Sequence, residues 1–74
     1  MSEELDLYKL KPYDILQSND IVKKIIIIIK TIGSTSRYPY MNISQRNCEV
    51  LTITKGKLKL IETVIYDDLW IKVN

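Results

Sequence analysis

Lys23-Lys24-Ile25-Ile26-Ile27-Ile28-Ile29-Lys30 places five β-branched residues in a row between lysines. Two readings of it lead to two folds. Asp20 suits a helix N-cap, Gly33 suits the residue that ends a helix, and Ile21, Ile25, Ile28 and Ile32 share one helical face. On that reading a helix at 20–32 packs on a three-stranded meander. Against it, β-branched side chains are stiff in a helix and fit a pleated strand, and an unbroken apolar run suits a central strand covered on both faces. The strand is the expectation, with the flanking lysines acting as gatekeepers against aggregation.

Downstream, Gly33 to Ser36 reads as a polar turn, and Arg37 to Asn47 as a loop or short edge strand interrupted by Pro39. Glu49 to Thr54, Lys57 to Tyr66 and Leu69 to Val73 are β-prone runs separated by the turn signals Lys55-Gly56 and Asp67-Asp68. Leu58, Leu60, Val64 and Tyr66 alternate with Lys57, Lys59 and Thr63, giving one oily and one polar face in an antiparallel meander. Upstream, Leu5 to Lys11 suits an edge strand, or a helix started by Ser2-Glu3-Glu4. A short helix is expected from Pro12 to Gln17. The fold class is therefore β-rich α+β in a single domain, 1–74: a small antiparallel sheet of four to five strands, curled toward a barrel, with one short helix.

At 74 residues a single core supplies only about 3–5 kcal/mol without outside help. Cys48 is the lone cysteine and histidine is absent, so neither an internal disulfide nor an ordinary zinc site is available, and no metal or cofactor is expected. Self-association or a larger partner is the remaining source of stability. Abundant Ile, Lys, Tyr and Asn beside absent Ala and Phe match an AT-rich genome. The acidic start followed by no apolar run, and lysines inside the longest apolar stretch, point to a cytoplasmic protein without a membrane segment. Asn42-Ile43-Ser44 is then a chance glycosylation sequon. Acid–base and nucleophilic catalysis lack their usual groups, so the chain is not expected to be an enzyme.

Two segments carry binding chemistry. Lys55, Lys57 and Lys59 surround a glycine hairpin tip suited to a phosphate backbone, although lysines there also keep strand edges soluble. Arg37, Tyr38 and Tyr40, with Met41 and Arg46, interleave cations with rings that stack on unpaired bases or anchor a protein interface. Gly33-Ser34-Thr35-Ser36-Arg37 lacks the second glycine and the lysine of a phosphate loop and reads as ordinary turn chemistry, as does Asp67-Asp68.

Ile27 to Gly33 resembles the lysine-glycine strand of the archaeal Alba chromatin proteins. The helices of that family have no counterpart, and no residue is carried over from it. The leading functional expectation is a non-catalytic nucleic-acid-binding or nucleoprotein-associated protein using the basic hairpin and the basic-aromatic loop, at a net charge of only +2. The alternative is a protein-interaction module: a homodimer, a small subunit of a larger assembly, or a viral or plasmid modulator of a host protein, with Tyr66 and Trp70 as further anchors. Convergence of the cations on one face favours the first, and their scatter the second.

Overall fold

The isoleucine run is a strand. In the computed structural model, which describes residues 5–74, the run opens β2 (Ile25–Tyr38), preceded by β1 (Ile15–Ser18) and followed by β3 (Ile43–Thr54), β4 (Lys57–Tyr66) and β5 (Trp70–Lys72). The helix at 20–32 is thereby excluded. Asp20, its would-be cap, accepts instead from Ser18 Oγ at 2.8 Å and from the Lys23 amide at 3.0 Å, closing the turn between β1 and β2. The sheet has the order β4-β3-β2-β1-β5 with every neighbouring pair antiparallel, so β2 is its central strand.

The expected helix from Pro12 to Gln17 is also absent. Lys11 and Asp14 form a tight turn, with the Lys11 amide on the Asp14 carboxylate and the Asp14 amide on the Lys11 carbonyl. Tyr13 sits inside it at φ 74°, a left-handed conformation that no helix continues through. From Ile15 onward the chain pairs with β2. Helical hydrogen bonding appears earlier, as a 3-10 turn over Leu7–Lys9 capped by the Asp6 carboxylate, where an edge strand was the expectation. The helix start at Ser2-Glu3-Glu4 lies outside the described residues.

β5 departs from the meander. It pairs with β1, not with β4, so residues 67–69 carry the chain from one edge of the sheet to the other. Tyr66 and Trp70 are four Cα steps apart, a reach of at most about 14 Å, whereas four strand spacings in a flat sheet are roughly 19 Å. Tyr66 is level with Gln45 near the start of β3 and Trp70 with Ser18 at the end of β1, so these residues also join opposite ends of the strands; the sheet must curl strongly for the Asp67 amide to meet the Ser44 carbonyl and the Asn19 amide the Leu69 carbonyl. It does not close into a barrel, because β4 and β5 remain its two edges.

Between Gly33 and Ser36 the expected turn is replaced by strand with extra residues. The register steps from Ile32↔Asn47 to Ser36↔Gln45, so β2 advances by more residues than β3, and Gly33 takes φ 76° within the irregularity. Arg46 supports it: Nε donates to the Gly33 carbonyl at 3.2 Å and Nη1 to the Leu7 carbonyl at 2.8 Å, tying the bulged strand to the 3-10 turn. The loop expected over 37–47 shrinks accordingly to residues 39–42, with strand on both sides.

Side-chain alternation gives the sheet an inner and an outer face. Leu16, Ile26, Ile28, Cys48, Val50 and Ile65 line the inner face, and Leu5, Leu7 and Leu10 close over it to complete the core, with Trp70 packed alongside. Burial pushes the Cys48 thiol upward, which makes it an inert core group at neutral pH. Asp14 is buried at the rim of the core, its carboxylate 3.5 Å from Lys72 Nζ on β5.

Candidate functional site

The chain itself covers the isoleucine strand on one face only. Ile26 and Ile28 point into the core, while Ile25 is exposed and Ile27 half-buried on the opposite side. The register extends that outer side across the sheet. Ile15, Ile27, Leu51 and Leu60 stand beside one another in one row over β1 to β4. In the adjoining row Ile71, Gln17 and Ile25 are neighbours, as are Ile53 and Leu58, and one step beyond Ile26↔Thr52 brings Ile25 beside Ile53. Ile53, Leu58 and Leu60 are 65%, 66% and 58% exposed, values that leave most of each side chain in water.

The oily side of β4 thus faces outward. Leu58 and Leu60 lie on the solvent side, and the row that includes Lys57, Lys59 and Thr63 supplies the fully buried Ile65. Next to the aliphatic rows runs a charged one: Lys30 pairs with Glu49, and Glu49 with Glu62. Ile29 is the bulge residue that sets this row, since the register passes from Ile28↔Val50 directly to Lys30↔Glu49. Without the bulge Lys30 would point into the core.

The basic and aromatic positions do not form one surface. Arg37, Tyr38 and Tyr40 lie at the hairpin joining β2 to β3, and Lys55, Lys57 and Lys59 at the hairpin joining β3 to β4. The 12-residue β3 separates the two tips, up to roughly 35 Å at about 3.3 Å per residue. Arg37 bonds Asn42 Oδ1 and Ser44 Oγ within its own hairpin, and Arg46 is committed to Gly33 and Leu7. Tyr40 stands wholly in solvent.

Lys55, Lys57 and Lys59 instead acquire neighbours absent from the expected site. β2 begins at the end of the sheet where β3 finishes, so Lys23 and Lys24 lie beside the lysine hairpin. The Lys24 amide donates to Ser18 Oγ at 2.7 Å, and the Ser18 amide to the Lys24 carbonyl at 2.8 Å, which fixes the turn that carries both lysines.

No family model, curated protein or solved structure matches this chain.

The assignment therefore rests on its own surfaces. Among the described residues no group of three His, Cys, Asp or Glu side chains is placed to hold a metal ion, and no helix is long and apolar enough to cross a membrane. A recess between the 3-10 turn and the start of β3, lined by Leu7, Tyr8, Arg37, Ser44 and Asp67, has its polar groups engaged internally: the Ser44 amide donates to Asp67 and Arg37 donates to Ser44. Among the described residues, the outer aliphatic rows and the lysine end are surfaces whose chemistry the fold itself does not use. Alternation could have revealed the first from sequence, but only once the inward parity of the isoleucines was known.

Proposed function

We propose that this chain is a non-catalytic protein-interaction module that pairs with a second copy of itself across the outer face of its sheet. The observation that carries this reading is the pair of mainly aliphatic rows, Ile15-Ile27-Leu51-Leu60 and Ile71-Gln17-Ile25-Ile53-Leu58, half-buried to exposed on the outer face of a domain short of core. Five strands at about 4.8 Å and two rows at about 6.6 Å give a projected patch near 300 Å², already the size of a functional patch on a small monomer. With the charged row and the row of Ile32, Asn47 and Val64, each three strands wide, the face offers about 500 Å². Two such faces reach roughly 1,000 Å², the bottom of the range for a specific interface.

The face is also complementary to itself. A two-fold axis parallel to the strands, midway between β2 and β3, lays β2 of each copy over β3 of the other, in the aligned packing of β-sandwiches. Ile27 then meets the second copy's Leu51, and Ile25 its Ile53. Lys30 meets the second copy's Glu49, and the reverse pair forms by symmetry. A partner of different sequence would have to supply both patterns independently, whereas a second copy supplies them at no further cost.

Sedimentation equilibrium tests this directly. The mass is expected to rise from monomer toward dimer over about 1–100 μM, the range appropriate to a small interface. Lys30→Glu is expected to shift the transition to higher concentration, and Lys30→Glu with Glu49→Lys to restore it. A monomer at every concentration would overturn the reading.

A further inference from the structure

We infer that the lysine end of the sheet is a second binding surface, for the phosphate backbone of double-stranded nucleic acid. Strand polarity assembles it. β2 starts where β3 ends and β4 begins, so Lys23, Lys24, Lys55, Lys57 and Lys59, five of the eleven cations in the chain, come from two separate segments to one end of the fold. All five side chains are exposed. Lys24 lies two residues before Ile26, which pairs with Thr52, which pairs in turn with Lys59; the lysines thus span about two strand spacings, close to 10 Å, across the sheet and about four residues, near 13 Å, along it.

Both segments are tight turns. Lys55 and Gly56 take φ 52° and 75° at the hairpin tip, and Lys23 takes φ 54° in a turn clamped by Asp20. Asp20 is the acidic residue of these segments. The hydrogen bond from Ser18 and then the Lys23 amide hold its carboxyl below the usual aspartate range, so it stays ionised; the two segments carry four net positive charges, and Asp68, beside the Leu69 that bonds Asn19, flanks them. Its carboxylate is turned to the backbone and to Ser18, leaving the ammonium groups free for a ligand.

The class of ligand follows from what is absent as well as present. Recognition of unpaired bases rests on aromatic rings beside the cations. Residues 19–24 and 54–59 contain no aromatic residue, and the exposed Tyr38 and Tyr40 lie at the other end of β3. Lysines alone contact phosphates as point charges, without base readout, and duplex offers the denser array of them. The aliphatic rows and this end do not compete, since Lys24, Lys57 and Lys59 fall on the inner-face side of their strands. If the chain dimerises as proposed, an axis parallel to the strands places both lysine ends at the same pole.

Fluorescence anisotropy with a 20-base-pair DNA duplex, a 20-nucleotide single strand and phosphatidylglycerol vesicles, each over a range of salt, separates the outcomes. Duplex binding is expected to weaken linearly in log–log form with salt, at a slope of about −0.9 per lysine engaged, reaching roughly −4.5 per protomer. Lys23→Gln with Lys24→Gln is expected to reduce that slope by about 2, as is Lys55→Gln with Lys57→Gln, whereas Arg37→Gln leaves it unchanged. Salt-insensitive or absent duplex binding at low ionic strength would overturn the inference. So would tighter binding to the single strand or the vesicles, or a full slope in the Lys23 and Lys24 variant. Sedimentation of the same samples keeps the readouts apart: a dimer that ignores duplex defeats this inference alone, and a monomer that binds duplex defeats only the dimer.

Discussion

Ile28→Ala is expected to remove most of the stability of the domain. Ile28 is fully buried on the central strand, packed in the core with Ile26 and Val50. Truncating a buried isoleucine costs about 2–5 kcal/mol in lost transfer energy and in the cavity left behind. A single core in a chain of this length supplies only about 3–5 kcal/mol. At about 4–8 °C per kcal/mol, a loss of 3 kcal/mol lowers the melting temperature by roughly 12–24 °C. Ile27→Ala, one residue away on the outer face, is expected to cost the monomer far less. Thermal melts followed by circular dichroism at low protein concentration compare the two directly, and equal losses would mean that the isoleucines are not sorted into an inner and an outer set.

Ile53→Glu with Leu60→Glu is expected to abolish self-association without unfolding the protomer. Both side chains are mostly in water in the single chain, so glutamate there costs little in folding. In the proposed dimer the same substitutions place four carboxylates within a patch of Ile15, Ile25 and their symmetry mates. Burying unpaired charge costs several kcal/mol per group, so a dissociation constant raised by about a thousandfold or more is expected. Light scattering reads the mass, and the circular dichroism spectrum verifies that the sheet survives. A folded double variant that still dimerises would place the interface elsewhere.

The two predictions turn on a distinction that residue type alone does not reveal. Five identical side chains identify a strand, because β-branching disfavours helix wherever it occurs, and the runs that become β3, β4 and β5 are legible for the same reason. The turn at Lys55-Gly56 is legible from glycine's access to positive φ. Which isoleucines face inward is not local information. It depends on the Leu16↔Ile26 and Ile28↔Val50 pairings and on Leu5, Leu7 and Leu10 closing over one side only.

Equally non-local is the partner of β5. Close spacing along the chain favours a hairpin with β4, but the curl of the sheet brings β1 within reach of three connecting residues. The 3-10 turn and the tight turn at 11–14 were hidden because both rest on single aspartate side chains, Asp6 and Asp14, accepting backbone amides. Of the candidate site, the lysine hairpin was legible from its glycine and its charges. Lys23 and Lys24 read as gatekeepers, because only strand polarity brings them beside it.

One face of the sheet is covered by its own chain, and on our proposal the other is covered by a second copy. Methyl NMR with a soluble gadolinium chelate reads both faces at once. Ile28 and Val50 methyls are expected to stay shielded at every protein concentration, while those of Ile27, Leu51 and Leu60 are well shielded near 1 mM, above the expected transition at about 1–100 μM, and more strongly bleached near 10 μM, inside it. Ile27, Leu51 and Leu60 bleached equally at both concentrations would contradict the account.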